Sequence, residues 1–129
     1  MLAKSFVRHI GRPPQLIQRL AHRKLNLPSH LHDLDIMSAK ATLNGTTIAS
    51  TTTYEFVEGN VYFPASSVSN KSETLTPSSH TTWCPWKGEA SYYNVNVNGE
   101  VVENGAWYYP QPLEKAQHIR DHIAFCTCR

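Results

Sequence analysis

Short runs of alternating apolar and polar residues fill the chain from residue 38 onward and predict antiparallel strands. In the clearest run, Tyr93, Val95 and Val97 alternate with asparagines, and Asn98-Gly99 then reverses the chain into a second strand. An Asn-Gly pair supplies the positive φ angles that a two-residue hairpin turn needs. Two further hairpins are predicted in the same way, one at 40–43 and 46–53 around Asn44-Gly45, the other at 54–57 and 61–63 around Glu58-Gly59-Asn60.

Three segments complete the predicted domain. Ala65–Thr82 is rich in Ser, Thr and Asn, a composition typical of a long surface loop. After Pro110-Gln111-Pro112, the apolar spacing through Leu113 and Ala116 predicts a short C-terminal helix. His122–Phe125 is predicted as a last strand. The expected class is therefore mainly β, built from antiparallel hairpins with one short helix.

The start of the chain follows a different pattern. Near the start of the chain apolar residues recur every four positions, and helical spacing is found again at Leu16, Ile17 and Leu20. This spacing predicts a helical extension. We therefore divide the chain into a basic N-terminal extension, residues 1–37, and a single β-rich domain, residues 38–129. At 129 residues the chain has no room for a second full domain.

Charge separates the two ends of the chain. Residues 1–32 carry six Lys and Arg residues and no acid, whereas all ten Asp and Glu residues lie from Asp33 onward. A basic, acid-free and amphipathic start is typical of a mitochondrial transit peptide. A basic helix or tail on a cytosolic protein explains the pattern equally well. Contact with RNA or an anionic lipid ranks below both.

The cysteines and the lack of a long apolar run limit the cellular compartments in which we expect the protein. Three cysteines, two of them in Cys126-Thr127-Cys128, are not a disulfide framework and favour a reducing compartment. No run of about 18 apolar residues is present that could span a membrane as a helix. We predict a mitochondrial or cytoplasmic protein that is not secreted, and a small-molecule ligand rather than nucleic acid as its partner.

The stretch from Trp83 to Tyr93 concentrates a thiol, an ammonium, a carboxylate and four aromatic rings. Cys84 is a candidate nucleophile, because a nearby Lys87 would favour its thiolate. Glu89 is a candidate acid or base, and Lys87 could also hold an anionic ligand. These three residues are the catalytic candidates. The ligand-binding candidates are Trp83, Trp86, Gly88, Tyr92, Tyr93, Trp107 and His80.

Each candidate also has an ordinary structural interpretation. A lone Cys84 is more often a small hydrophobe, and Lys87 would be a solvated lysine that pairs with Glu89 in a tight turn. Aromatic rings are individually most often core or pocket wall. A metal is not predicted, since the chain has no Cys-X-X-Cys pair and its Cys-X-Cys is poorly spaced for zinc. Without a Gly-rich phosphate loop, no cofactor is predicted either.

Four motifs resemble a known family over roughly residues 38–126. They are Val61-Tyr62-Phe63-Pro64, Trp83-Cys84-Pro85-Trp86-Lys87-Gly88-Glu89-Ala90-Ser91-Tyr92-Tyr93, Val102-Glu103-Asn104-Gly105-Ala106-Trp107-Tyr108-Tyr109-Pro110 and His122-Ile123-Ala124-Phe125. The family is called domain of unknown function 427 and is also labelled nucleotidyltransferase family 9.

The resemblance implies a compact β fold of the tent type, in which two antiparallel sheets meet at an angle. It implies no established reaction. This chain departs from the family pattern by carrying Trp83 where a His often precedes the Cys, and Trp86 where Tyr is usual. His80 could supply the imidazole that Trp83 replaces.

The nucleotidyltransferase label has little support in the residues. That chemistry usually needs a Gly-Ser loop and paired aspartates that hold magnesium. Asp33-Leu34-Asp35 is the only Asp-X-Asp sequence, and no such loop precedes it.

Two hypotheses of different classes follow. In the first, the protein binds a small polar or anionic ligand in an aromatic pocket. In the second, it is a small enzyme that uses Cys84, Lys87 and Glu89, with nucleotidyl transfer suggested only by the family label.

Overall fold

Antiparallel strands arranged in two sheets make up most of the computed structural model, which describes residues 15–24 and 35–127. The small sheet has the order β1-β2-β3 and the large sheet the order β4-β5-β9-β8-β7-β6. The small sheet contains β1 (Leu16–Lys24), β2 (Asp35–Leu43) and β3 (Thr46–Thr51). The large sheet contains β4 (Glu55–Val57), β5 (Asn60–Pro64), β6 (Leu75–Cys84), β7 (Gly88–Val97), β8 (Glu100–Tyr108) and β9 (His122–Phe125).

Three short helical segments connect strands within residues 35–127. Ala65–Ser67 and Glu114–Ile119 are 3₁₀ segments, and α1 (Lys71–Thr74) is a single α-helical turn. No helix in the described residues is long and apolar enough to cross a membrane.

The three predicted hairpins are confirmed, and so is the last strand. Both residues of each two-residue turn have positive φ, with values of +50° and +86° at Asn44-Gly45 and of +52° and +84° at Asn98-Gly99. These angles match the right-handed twist of the flanking strands. Glu58-Gly59 forms the third turn in the same way, with φ of +54° and +82°.

The predicted N-terminal helix is wrong where the structure can test it. Leu16–Lys24 forms β1, which pairs with β2 from Leu16 opposite Leu43 to Lys24 opposite Asp35. Leu16 and Leu20 are four residues apart, so they share a face in a strand as well as in a helix. The pairing with β2 shows that this segment is a strand and not a helix. Residues 1–14, where the rest of the predicted helix falls, lie outside the described residues.

The predicted loop Ala65–Thr82 is also wrong over its second half, because Leu75–Cys84 forms β6. In the described structure β6 is an edge strand that pairs only with β7, so most of its side chains are exposed. Exposed side chains on a strand are mostly polar, and we interpreted this polar composition as that of a loop. Threonine favours strands, and Pro77 is tolerated at an edge, where it lies beside a register shift.

The predicted C-terminal helix of about three turns is replaced by the 3₁₀ segment Glu114–Ile119, which is interrupted at Ala116 with φ −114° and ψ 18°. Its buried residues, Ala116 and Ile119, are three positions apart, and this spacing fits a 3₁₀ turn. The backbone N–H of Leu113 donates to the Lys87 carbonyl oxygen at 3.0 Å. This bond fixes the segment against the β6–β7 turn.

The large sheet buries residues on both of its faces, in agreement with strand alternation. One face meets the small sheet in the inter-sheet core, where Phe63 and Phe125 pack edge to face at 5.6 Å. The other face, which we call the aromatic face, carries a second buried cluster that includes Tyr62 and Ala124. Its remaining buried members are Val57, Ala90, Tyr109, Ala116 and Ile119.

Candidate functional site

Adjacent aromatic residues on β7 belong to different faces of the large sheet. Tyr92 packs against the aromatic face, next to Trp107. Tyr93 packs against the inter-sheet core, where its ring stacks on Tyr108 at 4.8 Å and the Lys71 ammonium lies 5.7 Å from its centre. Of these two predicted pocket residues, only Tyr92 lies on the same face as Trp107.

The aromatic face holds an open cavity of about 310 Å³. Three rings form a continuous wall. Trp107 packs edge to face on Tyr62 at 6.4 Å and lies 6.2 Å from Tyr92, and its indole N–H donates to the Tyr62 hydroxyl at 3.2 Å. The full lining is Asn60, Tyr62, Lys87, Tyr92, Asn104, Trp107, Tyr109 and Cys126.

Lys87 is the buried cation of this cavity. The tight turn Pro85–Lys87 between Cys84 and Gly88 points its side chain inward, where 8% of it remains exposed. Its ammonium forms an ion pair with Glu58 and lies 5.4 Å from the Trp86 ring centre and 5.5 Å from that of Tyr109. A buried ammonium needs such partners, because leaving it unpaired would cost several kcal/mol.

Glu58 and Lys87 come from turns at opposite ends of the strand order. Glu58 lies in the β4–β5 turn and Lys87 in the β6–β7 turn. Trp86 adds a second bond, because its indole N–H donates to Glu58 Oε2 at 3.2 Å. The large sheet must therefore curve enough to bring its two outer hairpins together at the cavity.

The ion pair and burial shift several pKa values. Burial lowers the pKa of Lys87, but the hydrogen bond to Glu58 and the nearby Tyr62 and Tyr109 outweigh it and raise that pKa overall. The hydrogen bonds from Lys87 and Trp86 lower the pKa of Glu58. At neutral pH the pair is therefore fully charged.

Tyr62 and Tyr109 remain protonated beside this pair. Burial raises the pKa of Tyr62, and burial followed by the charge of Tyr62 raises the pKa of Tyr109 to about 12. Both phenols are thus neutral hydroxyls that can donate or accept a hydrogen bond at physiological pH.

The three catalytic candidates do not meet in the cavity. Cys84 is a free thiol that packs against the aromatic face, but among the described residues it is not part of the lining. Glu89 is exposed and, with Trp83, lines a separate depression of about 450 Å³. Cys126 does line the cavity and is disulfide-bonded, which is at odds with the reducing compartment that the cysteine spacing favoured.

The remaining ligand-binding candidates differ in how they are placed around the cavity. Trp86 covers Lys87, whereas Trp83 is 66% exposed on the outside of β6. His80 lies on β6 with its ring 4.6 Å from that of Tyr92. Gly88 is buried at φ +105°, and a Cβ there would lie 3.3 Å from the Gln111 carbonyl oxygen.

Sequence analysis missed Glu58, Asn60, Tyr62, Asn104 and Tyr109 as site residues. One signal was present for Glu58, because a glutamate occupies the turn position where the other two-residue turns carry asparagine. The tyrosines were visible only as part of the family motifs.

The described residues contain no group of three His, Cys, Asp or Glu side chains that could hold a metal ion. Asp33-Leu34-Asp35, the sequence that we examined for the nucleotidyltransferase label, lies largely outside the described residues.

Comparison with known proteins gives one family match. No curated protein matches the chain. The family model described as domain of unknown function (DUF427) and labelled NTP_transf_9 matches residues 36–129, which contain β2 without its first residue, β3 to β9 and every residue of the cavity lining. The chain therefore belongs to the family called domain of unknown function 427.

Proposed function

We propose that the protein binds a small polar or anionic ligand in the cavity on the aromatic face. The observation that carries this proposal is the buried ammonium of Lys87 in the lining of an aromatic cavity. The cavity volume, about 310 Å³, lies at the lower end of the roughly 300–1,000 Å³ of typical small-molecule sites. A ligand of moderate size would fill it.

The lining combines apolar walls with a few polar groups, as ligand sites commonly do. Tyr92 and Trp107, which are only partly buried, offer ring surfaces on which a flat or apolar part of a ligand can pack. Asn60 and Asn104 are the other polar residues of the lining. Lys87 would orient an acceptor group or an anion.

Binding is favoured over the enzyme hypothesis by the positions of the catalytic candidates. Cys84 and Lys87 lie on the same face, but Glu89 faces the depression beside Trp83. An acid or base must come within hydrogen-bond reach of the reacting group. The separation of Glu89 from Lys87 removes the support for their joint catalytic role, and nucleotidyl transfer rests on the family label alone.

Paired substitutions on β7 test the proposal. Benzoate, benzamide and phenyl phosphate would be titrated into the protein, with binding followed by NMR signals of Tyr92 and Trp107. Tyr92→Leu should weaken binding by about threefold to tenfold, the range expected for one lost aromatic contact. Tyr93→Leu, on the opposite face of the same strand, is the matched control and should leave affinity unchanged.

Lys87 can be tested against a second lysine with similar surroundings. Lys87→Met should abolish the preference for benzoate over benzamide, whereas Lys71→Met should not, because Lys71 lies over Tyr93 on the other face. The proposal fails if no probe perturbs the cavity signals, or if the two members of each variant pair behave alike.

The location of the protein remains a prediction within this proposal. The charge pattern of residues 1–32 supports a mitochondrial transit peptide as much as a cytosolic basic extension. N-terminal sequencing of the protein from its native cell distinguishes them, since an intact Met1 or Leu2 would exclude a cleaved leader.

A further inference from the structure

Glu58 occupies an unfavourable backbone position. Its φ of +54° places it in the left-handed region, at the first position of a two-residue turn. The other two such turns in the described chain have Asn44 and Asn98 at this position, and asparagine tolerates the left-handed conformation better than glutamate does. The longer glutamate side chain has a different use here, because it reaches both the Lys87 ammonium and the Trp86 indole.

The two members of the Glu58–Lys87 pair differ in exposure. Only 8% of the Lys87 side chain is exposed, against 52% of the Glu58 side chain. The buried ammonium has little contact with water, so it requires an anionic partner. The exposed carboxylate can be rehydrated if it turns outward. Glu58 is therefore the partner that can leave at low cost.

The ammonium also faces two environments. Lys87 belongs to the cavity lining, whereas the described lining does not include Glu58. A lysine ammonium has three N–H donors, so it can contact Glu58 on one side and a group in the cavity on the other. An anion that enters the cavity would meet the same ammonium that Glu58 now neutralises.

We infer that Glu58 is an exchangeable counter-ion for Lys87. The anionic group of a ligand takes the place of the Glu58 carboxylate at the ammonium, Glu58 turns to solvent, and the Trp86 indole N–H is released with it. The ligand class is a small molecule with one carboxylate or phosphoryl group beside a flat apolar part, which packs on Tyr92 and Trp107. This inference rests on the proposed function, because it assumes that the cavity binds a ligand.

The test compares benzoate with its neutral isostere benzamide on three proteins: the unmodified chain, Glu58→Gln and Glu73→Gln. Because Glu58 competes for the ammonium, Glu58→Gln should tighten benzoate binding by roughly threefold to tenfold and leave benzamide binding unchanged. Glu73 is exposed on α1, so Glu73→Gln removes the same charge without contacting Lys87 and should leave both affinities unchanged.

The Trp86 indole signal gives an independent measurement on the unmodified protein. Benzoate should shift the Nε1–H resonance, assigned by its loss in Trp86→Phe, towards its position in Glu58→Gln, whereas benzamide should not. Weaker or unchanged benzoate binding in Glu58→Gln, with benzoate still perturbing Tyr92 and Trp107, would overturn the exchange and leave the binding proposal intact. If Glu58→Gln does not fold, Glu58→Asp replaces it, because a side chain one methylene shorter holds its carboxylate farther from the ammonium and should compete less with benzoate. Absence of any cavity perturbation by benzoate, benzamide or phenyl phosphate would overturn both proposals.

Discussion

Replacing Gly88 with alanine should destabilise the protein more than the same change at a hairpin tip. Gly88 has φ +105°, and Gly99, in the β7–β8 turn, has φ +84°. An L-residue with positive φ costs roughly 1–2 kcal/mol, offset by about 0.4–1 kcal/mol from a less flexible unfolded chain. Gly99→Ala, whose Cβ would meet nothing within 4 Å, should therefore lower the free energy of unfolding by about 1 kcal/mol.

Gly88→Ala adds a steric cost to this conformational one. The new Cβ would lie 3.3 Å from the Gln111 carbonyl oxygen and 3.4 Å from Leu113 Cγ. The 110–113 segment cannot withdraw freely, because the Leu113 N–H is bonded to the Lys87 carbonyl oxygen. Overpacking of this kind costs at least about 1 kcal/mol, so the total should reach about 2–3 kcal/mol.

Urea unfolding of the two variants, followed by circular dichroism, measures the difference directly. The free energies of unfolding should differ by about 1–2 kcal/mol, with unchanged denaturant dependence. Gly88→Ala should also move the Trp86 indole resonance, since it displaces the turn that holds Lys87. Equal destabilisation by the two substitutions would refute the close approach of residues 110–113 to this turn.

Two further predictions test β1 and the cavity. Leu16→Ala should lower the free energy of unfolding by about 2–4 kcal/mol, because Leu16 is 1% exposed. Leu20 lies on the same strand but is 37% exposed, so Leu20→Ala should lower it by less than about 1 kcal/mol. Equal losses would contradict the placement of β1. The raised pKa of Tyr109 means that the fold favours the neutral phenol, so its contribution to stability is complete below pH 10.0 and is lost as the pH rises towards about 12. Alkaline titration of tyrosinate absorbance should show the unmodified protein and Tyr109→Phe diverging only well above pH 10.0; divergence at that pH would argue against a buried Tyr109.

Local signals determined which elements could be predicted. Asn44-Gly45 and Asn98-Gly99 encode their turns within two residues, so both hairpins were predicted at the right positions. β1 was missed because the spacing of its leucines fits both a helix and a strand. The pairing that distinguishes them is with β2, a separate segment of the chain, so the sequence of β1 alone does not show it. β6 was missed because an exposed edge strand and a loop share a polar composition.

The site was predictable only where it depends on a single stretch of chain. Lys87 and Tyr92 were predicted because aromatic and charged residues cluster near the β6–β7 turn, and Trp107 was predicted with the family motif that contains it. Strand alternation alone would have separated Tyr92 from Tyr93. Glu58 was missed because its contact with Lys87 depends on curvature of the whole large sheet, which no local pattern encodes.

The contact between Glu58 and Lys87 has a consequence for the order of folding. Each hairpin of the large sheet can form from neighbouring residues, but this contact joins turns at opposite ends of the strand order. Pairings between distant segments require loop closure and tend to form late. We therefore expect the cavity to be assembled in the last steps of folding, after β5, β9, β8 and β7 have come together. A partly folded chain would contain the hairpins and lack the binding site, so a ligand of the cavity would select the fully folded protein alone.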